Sequence, residues 1–158
     1  MANTSSMCTS FMGELMTATH NFGVSPIRPA TTADVFKAAL YLSSATVNAS
    51  TTAYSSSGEV SGTGYSAGGV TVTNATAPIA TNSSITAGVA YWTPSASITY
   101  TTVTLSTAFN AVLIYNSTQS NKSVAVYTFG DQTITAGTFT LTMPSNTTTT
   151  ALVRLATT

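Results

Sequence analysis

Charge is nearly missing from this chain. Four Lys and Arg and four Asp and Glu stand among 158 residues, 5% of the total, against about 25% in ordinary soluble domains. Four basic residues give no footprint for phosphates, so nucleic acid is not expected as a partner. The only cysteine, Cys8, excludes an internal disulfide and fits synthesis in a reducing cytoplasm. One histidine, His20, with Cys8 and the acids Glu14, Asp34, Glu59 and Asp131 offers no ligand cluster at metal-binding spacing. The same four acids are scattered where glycoside hydrolysis would need two facing carboxylates. No cofactor is implied. No apolar run approaches the ~18 residues of a membrane-crossing helix. The aromatic residues are too scattered to form the girdles of a membrane barrel. No membrane is expected as a partner.

Thr and Ser take the place of the charges, at about a third of the chain, while hydrophobic residues stay at an ordinary 43%. Ample β-branched and aromatic residues argue against disorder. Net charge near zero favours association over colloidal solubility. Contacts between neutral Thr-rich β surfaces would weaken little as salt rises. Seven Asn-x-Ser/Thr triplets, at Asn3, Asn48, Asn74, Asn82, Asn116, Asn121 and Asn146, follow from composition. The opening residues lack the basic region of a secretion signal.

One domain is expected over 1–158, mainly β, an antiparallel β-sandwich or small barrel with one N-terminal α-helix. The helix is placed at 5–20, where Met7, Cys8, Phe11, Met12, Leu15 and Met16 make a broad apolar stripe. Thr4 or Ser5 would cap its start, and His20 would offset the dipole at its end. The β part covers 34–158, and Pro26 and Pro29 mark an extended connector before it. Phe36, Ala38, Leu40 and Leu42 share one parity and predict a strand, with Lys37 and Tyr41 on the other face. Further strands are expected at Val70 to Asn74, near Ile79 and Ile85, at Val89 to Trp92, at Ile98 to Leu105 and at Thr149 to Leu155.

The core is most legible from Ala108 to Thr142. Phe109 to Tyr115 is apolar on both parities apart from Asn110, Asn116 to Asn121 has the composition of a hairpin loop, and Ser123 to Phe129 alternates. Gly130-Asp131 predicts a second turn and Thr133 to Met143 a third strand. Residues 43–69 are expected as a long Ser/Thr/Gly loop, the kind that is usually functional or interfacial.

Gly64-Tyr65-Ser66-Ala67-Gly68 matches the G-x-S-x-G nucleophile elbow by composition. That motif needs a buried strand before it and a helix after it, with its histidine downstream; here His20 lies upstream. Gly62-Thr63-Gly64 lacks the spacing of a phosphate-binding fingerprint. Cys8 on an apolar stripe reads as a buried inert thiol. No enzyme is expected.

An ordered series of short blocks resembles small virion structural proteins of tailed bacteriophages. It begins with Met7-Cys8-Thr9-Ser10-Phe11, Glu14-Leu15 and His20-Asn21-Phe22. It continues with Phe36-Lys37-Ala38-Ala39-Leu40-Tyr41, Thr51-Thr52-Ala53-Tyr54 and Glu59-Val60-Ser61-Gly62-Thr63-Gly64-Tyr65. Ala111 to Asn116, Ser120 to Val126 and Gly137-Thr138-Phe139-Thr140-Leu141 complete it. The stretch Pro26 to Ala33 is longer than the resemblance would suggest.

The resemblance implies a particle component made in the bacterial host cytoplasm and located in the virion. A capsid decoration (cement) protein is the first expectation; a tail, baseplate or fibre subunit is the second. The major capsid protein or other virion proteins would be its partners, with self-association in symmetric copies, trimers among them. In that reading the N-terminal helix and Gly58 to Gly69 lie across neighbouring subunits, with Phe11, Leu15, Tyr54, Val60 and Tyr65 at the interface. A third expectation is a carbohydrate-binding β-sandwich whose Tyr65, Tyr91, Trp92 and Tyr100 form a stacking platform.

Overall fold

The computed structural model describes residues 3–8, 10–11, 15, 19–22, 33–73, 78–80 and 89–156. Its elements are strands: β1 (Ser6–Met7), β2 (Phe36–Leu42), β3 (Val70–Thr71), β4 (Ile79–Ala80), β5 (Val89–Trp92), β6 (Ile98–Asn116), β7 (Lys122–Leu141) and β8 (Val153–Ala156). They form two antiparallel sheets, one in the order β1-β7-β6-β2-β3 and one in the order β4-β5-β8.

The parity of β2 is as the sequence predicts. Ala38 pairs with Ile114 and Leu40 with Val112, and these four side chains are buried. On that face Phe36 stacks on Phe22 at 4.4 Å and lies 6.1 Å from Trp92 of β5, so the second sheet packs over the first. Ala39 and Tyr41 alternate to the other face, where Tyr54 stacks on Tyr115 at 4.7 Å. Cover on both faces explains why Phe109 to Tyr115 is apolar on both parities. Each large side chain buried there contributes ~1.5–3 kcal/mol.

Two expectations are corrected. Ser6 and Met7, placed in the first turn of a helix, pair instead with Val126 and Ala125 of β7. Ser5, expected as a helix cap, accepts the Thr128 N–H on its hydroxyl at 2.6 Å. Within the expected helix Ser10, Phe11 and Leu15 are helical, while 9, 12–14 and 16–18 lie outside the described residues.

The turn expected at Gly130-Asp131 does not form. β7 runs through it as a 20-residue strand, and β6 opposite runs 19 residues without the expected break after Leu105. Gly-Asp is a local turn signal, but β6 continues alongside and supplies ladder partners such as Phe109 for Gln132. Register shifts between Tyr100 and Ala111 absorb the unequal residue counts. The loop expected at Asn116 to Asn121 is present as the turn of this long hairpin.

The long loop expected at 43–69 carries no named strand, as predicted, and is tied down at isolated bridges. The Leu42 N–H donates to the Gly58 carbonyl at 2.9 Å, Val60 N–H to Leu40 at 3.0 Å, and Thr104 N–H to Thr63 at 2.9 Å. The segment therefore lies against its own sheet, touching β2 at Glu59, β6 at Thr63 and the start of β7 at Ala53. The strands expected at Val70 and Thr149 are shorter than predicted, and Ile85, Pro26 and Pro29 lie outside the described residues.

Candidate functional site

The most concentrated polar chemistry among the described residues surrounds Glu59. Its backbone pairs with Tyr41 as an isolated antiparallel bridge, which brings the carboxylate to the face where the tyrosines gather. Oε1 accepts the Tyr65 hydroxyl at 2.7 Å and the Gly68 N–H at 2.8 Å, and Oε2 accepts the Tyr54 hydroxyl at 2.7 Å. The Tyr65 hydroxyl also accepts the Leu40 N–H at 3.0 Å, so it joins the sheet edge to the acid. Tyr115 donates to the Gly68 carbonyl at 2.8 Å, Tyr100 to Ala38 at 2.8 Å, and Tyr41 to Ser55 at 2.5 Å. Among the described residues no cation pairs with Glu59; neutral donors hold its charge.

Burial pushes the Tyr41 hydroxyl up to about 12, with the Glu59 charge adding to the rise. Burial likewise raises Tyr65 and Tyr54, and each is raised further by donating to Glu59. Tyr100 and Tyr115 rise from burial and the same nearby charge. Protonated phenols around an acceptor carboxylate form a fixed clasp over 54–68.

Glu59→Gln keeps the shape but turns an amide N–H₂ toward groups that donate. We expect a loss of ~2–3 kcal/mol, read as a lower urea midpoint at unchanged slope. A midpoint within ~0.5 kcal/mol of the parent, the range of an idle surface change, would show that the carboxylate holds nothing.

A second buried polar group closes the hairpin turn. Asp34 Oδ2 accepts the Asn21 N–H at 2.9 Å and Asn116 Nδ2 at 2.8 Å, and Oδ1 accepts Gln119 Nε2 at 3.1 Å. Asn116 Nδ2 also lies 3.2 Å from His20 Nδ1, and its Oδ1 accepts the N–H groups of Thr118 and Gln119. His20 is buried, edge-on to Phe11 at 4.8 Å, and the helix end it was expected to serve lies outside the described residues.

Of the five residues expected at an interface, the structure brings Tyr54 and Tyr65 together on Glu59. Val60 is buried beside them at 4% exposure. Phe11 is wholly buried, and it lines with half-buried Leu15 an apolar cavity of about 100 Å³ that Phe22, Trp92 and Val153 also border. Phe11 and Val60 are thus interior to this chain. Trp92 and Tyr100 are each 2% exposed and belong to different clusters, so the four aromatics expected as a stacking platform do not form one.

Ser66 stands in a run of turns between Gly64 and Gly69 and leads into β3, so the strand-to-helix setting of a nucleophile elbow is not formed. Cys8 is buried, as expected for an inert thiol. No group of three or more His, Cys, Asp or Glu side chains placed to hold a metal occurs among the described residues. No described helix is long and apolar enough to cross a membrane. Sequence reasoning missed Glu59 as an organising residue. The available signal was a lone acid in an uncharged loop, with tyrosines five before and six after it.

No family model, no curated protein and no solved structure matches the chain.

Proposed function

We propose that the chain is a non-enzymatic structural protein of a tailed-phage particle, and in particular a decoration (cement) protein that stabilises the head through subunit contacts. The observation that carries this reading is where polar chemistry is placed. The Glu59 carboxylate and the hydroxyls around it are turned inward to hold the chain's own loop. The outer face of the long hairpin is lined by exposed Thr101, Thr102, Thr133, Thr135, Thr138 and Thr140. Such a surface offers many weak neutral contacts and no group poised for reaction. Repeated over a lattice, modest contacts become strong together.

Quantifying the chain in purified particles tests the reading. A head decoration should be present on the order of hundreds of copies, as lattice symmetry requires. It should also stay bound at ~1 M salt, where the Debye length falls to ~3 Å. Tens of copies or fewer would move it to the tail, baseplate or fibre, and absence from particles would overturn the proposal.

A further inference from the structure

The turn of the long hairpin gathers the groups that acyl transfer needs. Asn116 is wholly buried, and both polar atoms of its carboxamide are held. Oδ1 accepts two backbone N–H groups, from Thr118 at 3.1 Å and from Gln119 at 3.2 Å. Those bonds fix which end of the amide is nitrogen. Nδ2 then donates to Asp34 Oδ2 at 2.8 Å and lies 3.2 Å from His20 Nδ1. Two N–H groups on a carbonyl oxygen are the setting that stabilises an oxyanion. A carboxylate on the nitrogen can carry protons to a leaving group.

The remaining part is a nucleophile, and the ladder supplies one. On one side Asn116 pairs with Phe36 of β2, which is 1% exposed and stacks on Phe22, so an aromatic wall excludes water there. On the other side it pairs with Lys122 of β7. Paired residues of antiparallel strands project to the same face with Cβ atoms ~5 Å apart. The flexible four-carbon stem of lysine spans that distance.

We propose that Asn116 and Lys122 join in an intramolecular amide bond. Asp34 takes one proton from the Lys122 ammonium, and the Nζ lone pair attacks Cγ of Asn116. As the N–C bond forms, the carbonyl electrons move onto Oδ1, between the Thr118 and Gln119 N–H groups. Asp34 hands its proton to Nδ2 and takes the second proton from Nζ. The Cγ–Nδ2 bond breaks, and ammonia leaves, carrying that last proton away as ammonium. One amide replaces another, nothing is oxidised or reduced, and no co-reactant is needed. Holding the reacting groups side by side replaces the catalyst that free side chains would require. The step happens once per chain, as self-modification without turnover. It locks β6 to β7 across 117–121, whatever the chain assembles with.

Intact mass of the denatured full-length protein tests the bond. The parent should be lighter than its sequence by one ammonia, ~17 Da, and trypsin should not cut after Lys122. Lys122→Arg, at a half-buried position, keeps the charge but removes the amine, so it should show the full sequence mass and be cut there. Asp34→Asn removes the proton carrier and should also stay at full mass; where it does not fold, Lys122→Arg decides. Full mass in the parent would overturn the proposal, and so would a bond formed undiminished in folded Asp34→Asn. A loss of ammonia that survives in Lys122→Arg would mark a cyclic imide instead, and a gain of ~1 Da would mark hydrolysis of Asn116. Either would equally overturn it.

Discussion

Gly69→Ala is expected to be the most damaging glycine-to-alanine change among the described residues. Gly69 enters β3 at φ +70°, a region that side chains disfavour, and a Cβ there would overlap the Ala38 carbonyl oxygen and lie 2.5 Å from its carbon. Ala38 cannot retreat freely. Its carbonyl accepts the buried Tyr100 hydroxyl at 2.8 Å, and its neighbours are fixed by pairing with β6. The obstruction is backbone, so no rotamer change relieves it. We expect a loss above ~4 kcal/mol, seen as a fall of roughly 10 °C or more in the unfolding midpoint. Gly130→Ala is the matched control: nothing lies within 4 Å of its added methyl. There the gain over glycine in a strand should leave stability equal or raise it by ~0.5–1 kcal/mol. Equal midpoints for the two variants would mean that the loop does not press on β2 as described.

The second large effect is expected in alkali. Six tyrosines, Tyr41, Tyr54, Tyr65, Tyr100, Tyr115 and Tyr127, have hydroxyls raised above the ordinary value of 10.0, with burial as the first cause in each. A raised acid is protonated in the folded chain at a pH where the unfolded chain has released the proton. Stability is therefore untouched below pH 10, falls as pH rises beyond it, and for Tyr41 is fully withdrawn above about 12. A fully buried hydroxyl withdraws ~1.4 kcal/mol per pH unit in that window. Tyr41 and Tyr100, 1% and 2% exposed, together remove ~3 kcal/mol per unit by the same relation. Half-exposed Tyr54, Tyr65 and Tyr127 add less, because water screens them. A domain stable by ~5–15 kcal/mol should unfold in one steep transition above pH 10. Tyrosinate absorbance and circular dichroism should move together. Tyrosinate from more than one of the seven tyrosines near pH 10 with the fold intact would show that these hydroxyls are not held.

The parts of the fold legible in the sequence are those where one local pattern and one burial face agree. The alternation of Phe36 to Leu42 and the two-sided apolar run at Phe109 to Tyr115 were readable because each reports its own cover. Gly130-Asp131 misled because a turn signal describes only four residues, while the ladder with β6 spans the whole hairpin. The stripe from Met7 to Met16 suited a helix by spacing, yet Ser6 and Met7 meet a strand more than a hundred residues away. The Glu59 clasp was half visible. A lone acid stood out, but its use depends on Leu40 and Tyr115, which only the fold brings near. Asp34 and Asn116 are 82 positions apart, and nothing local links them.

The folding of the β6–β7 hairpin over itself, which brings Phe129 and Phe139 to 5.4 Å, has a mechanical consequence. Ladder bonds lie across the strands, so tension along either arm loads many of them at once. Force that pries apart the end at Ile98 and Leu141 meets them singly. Each arm should resist stretching far better than peeling.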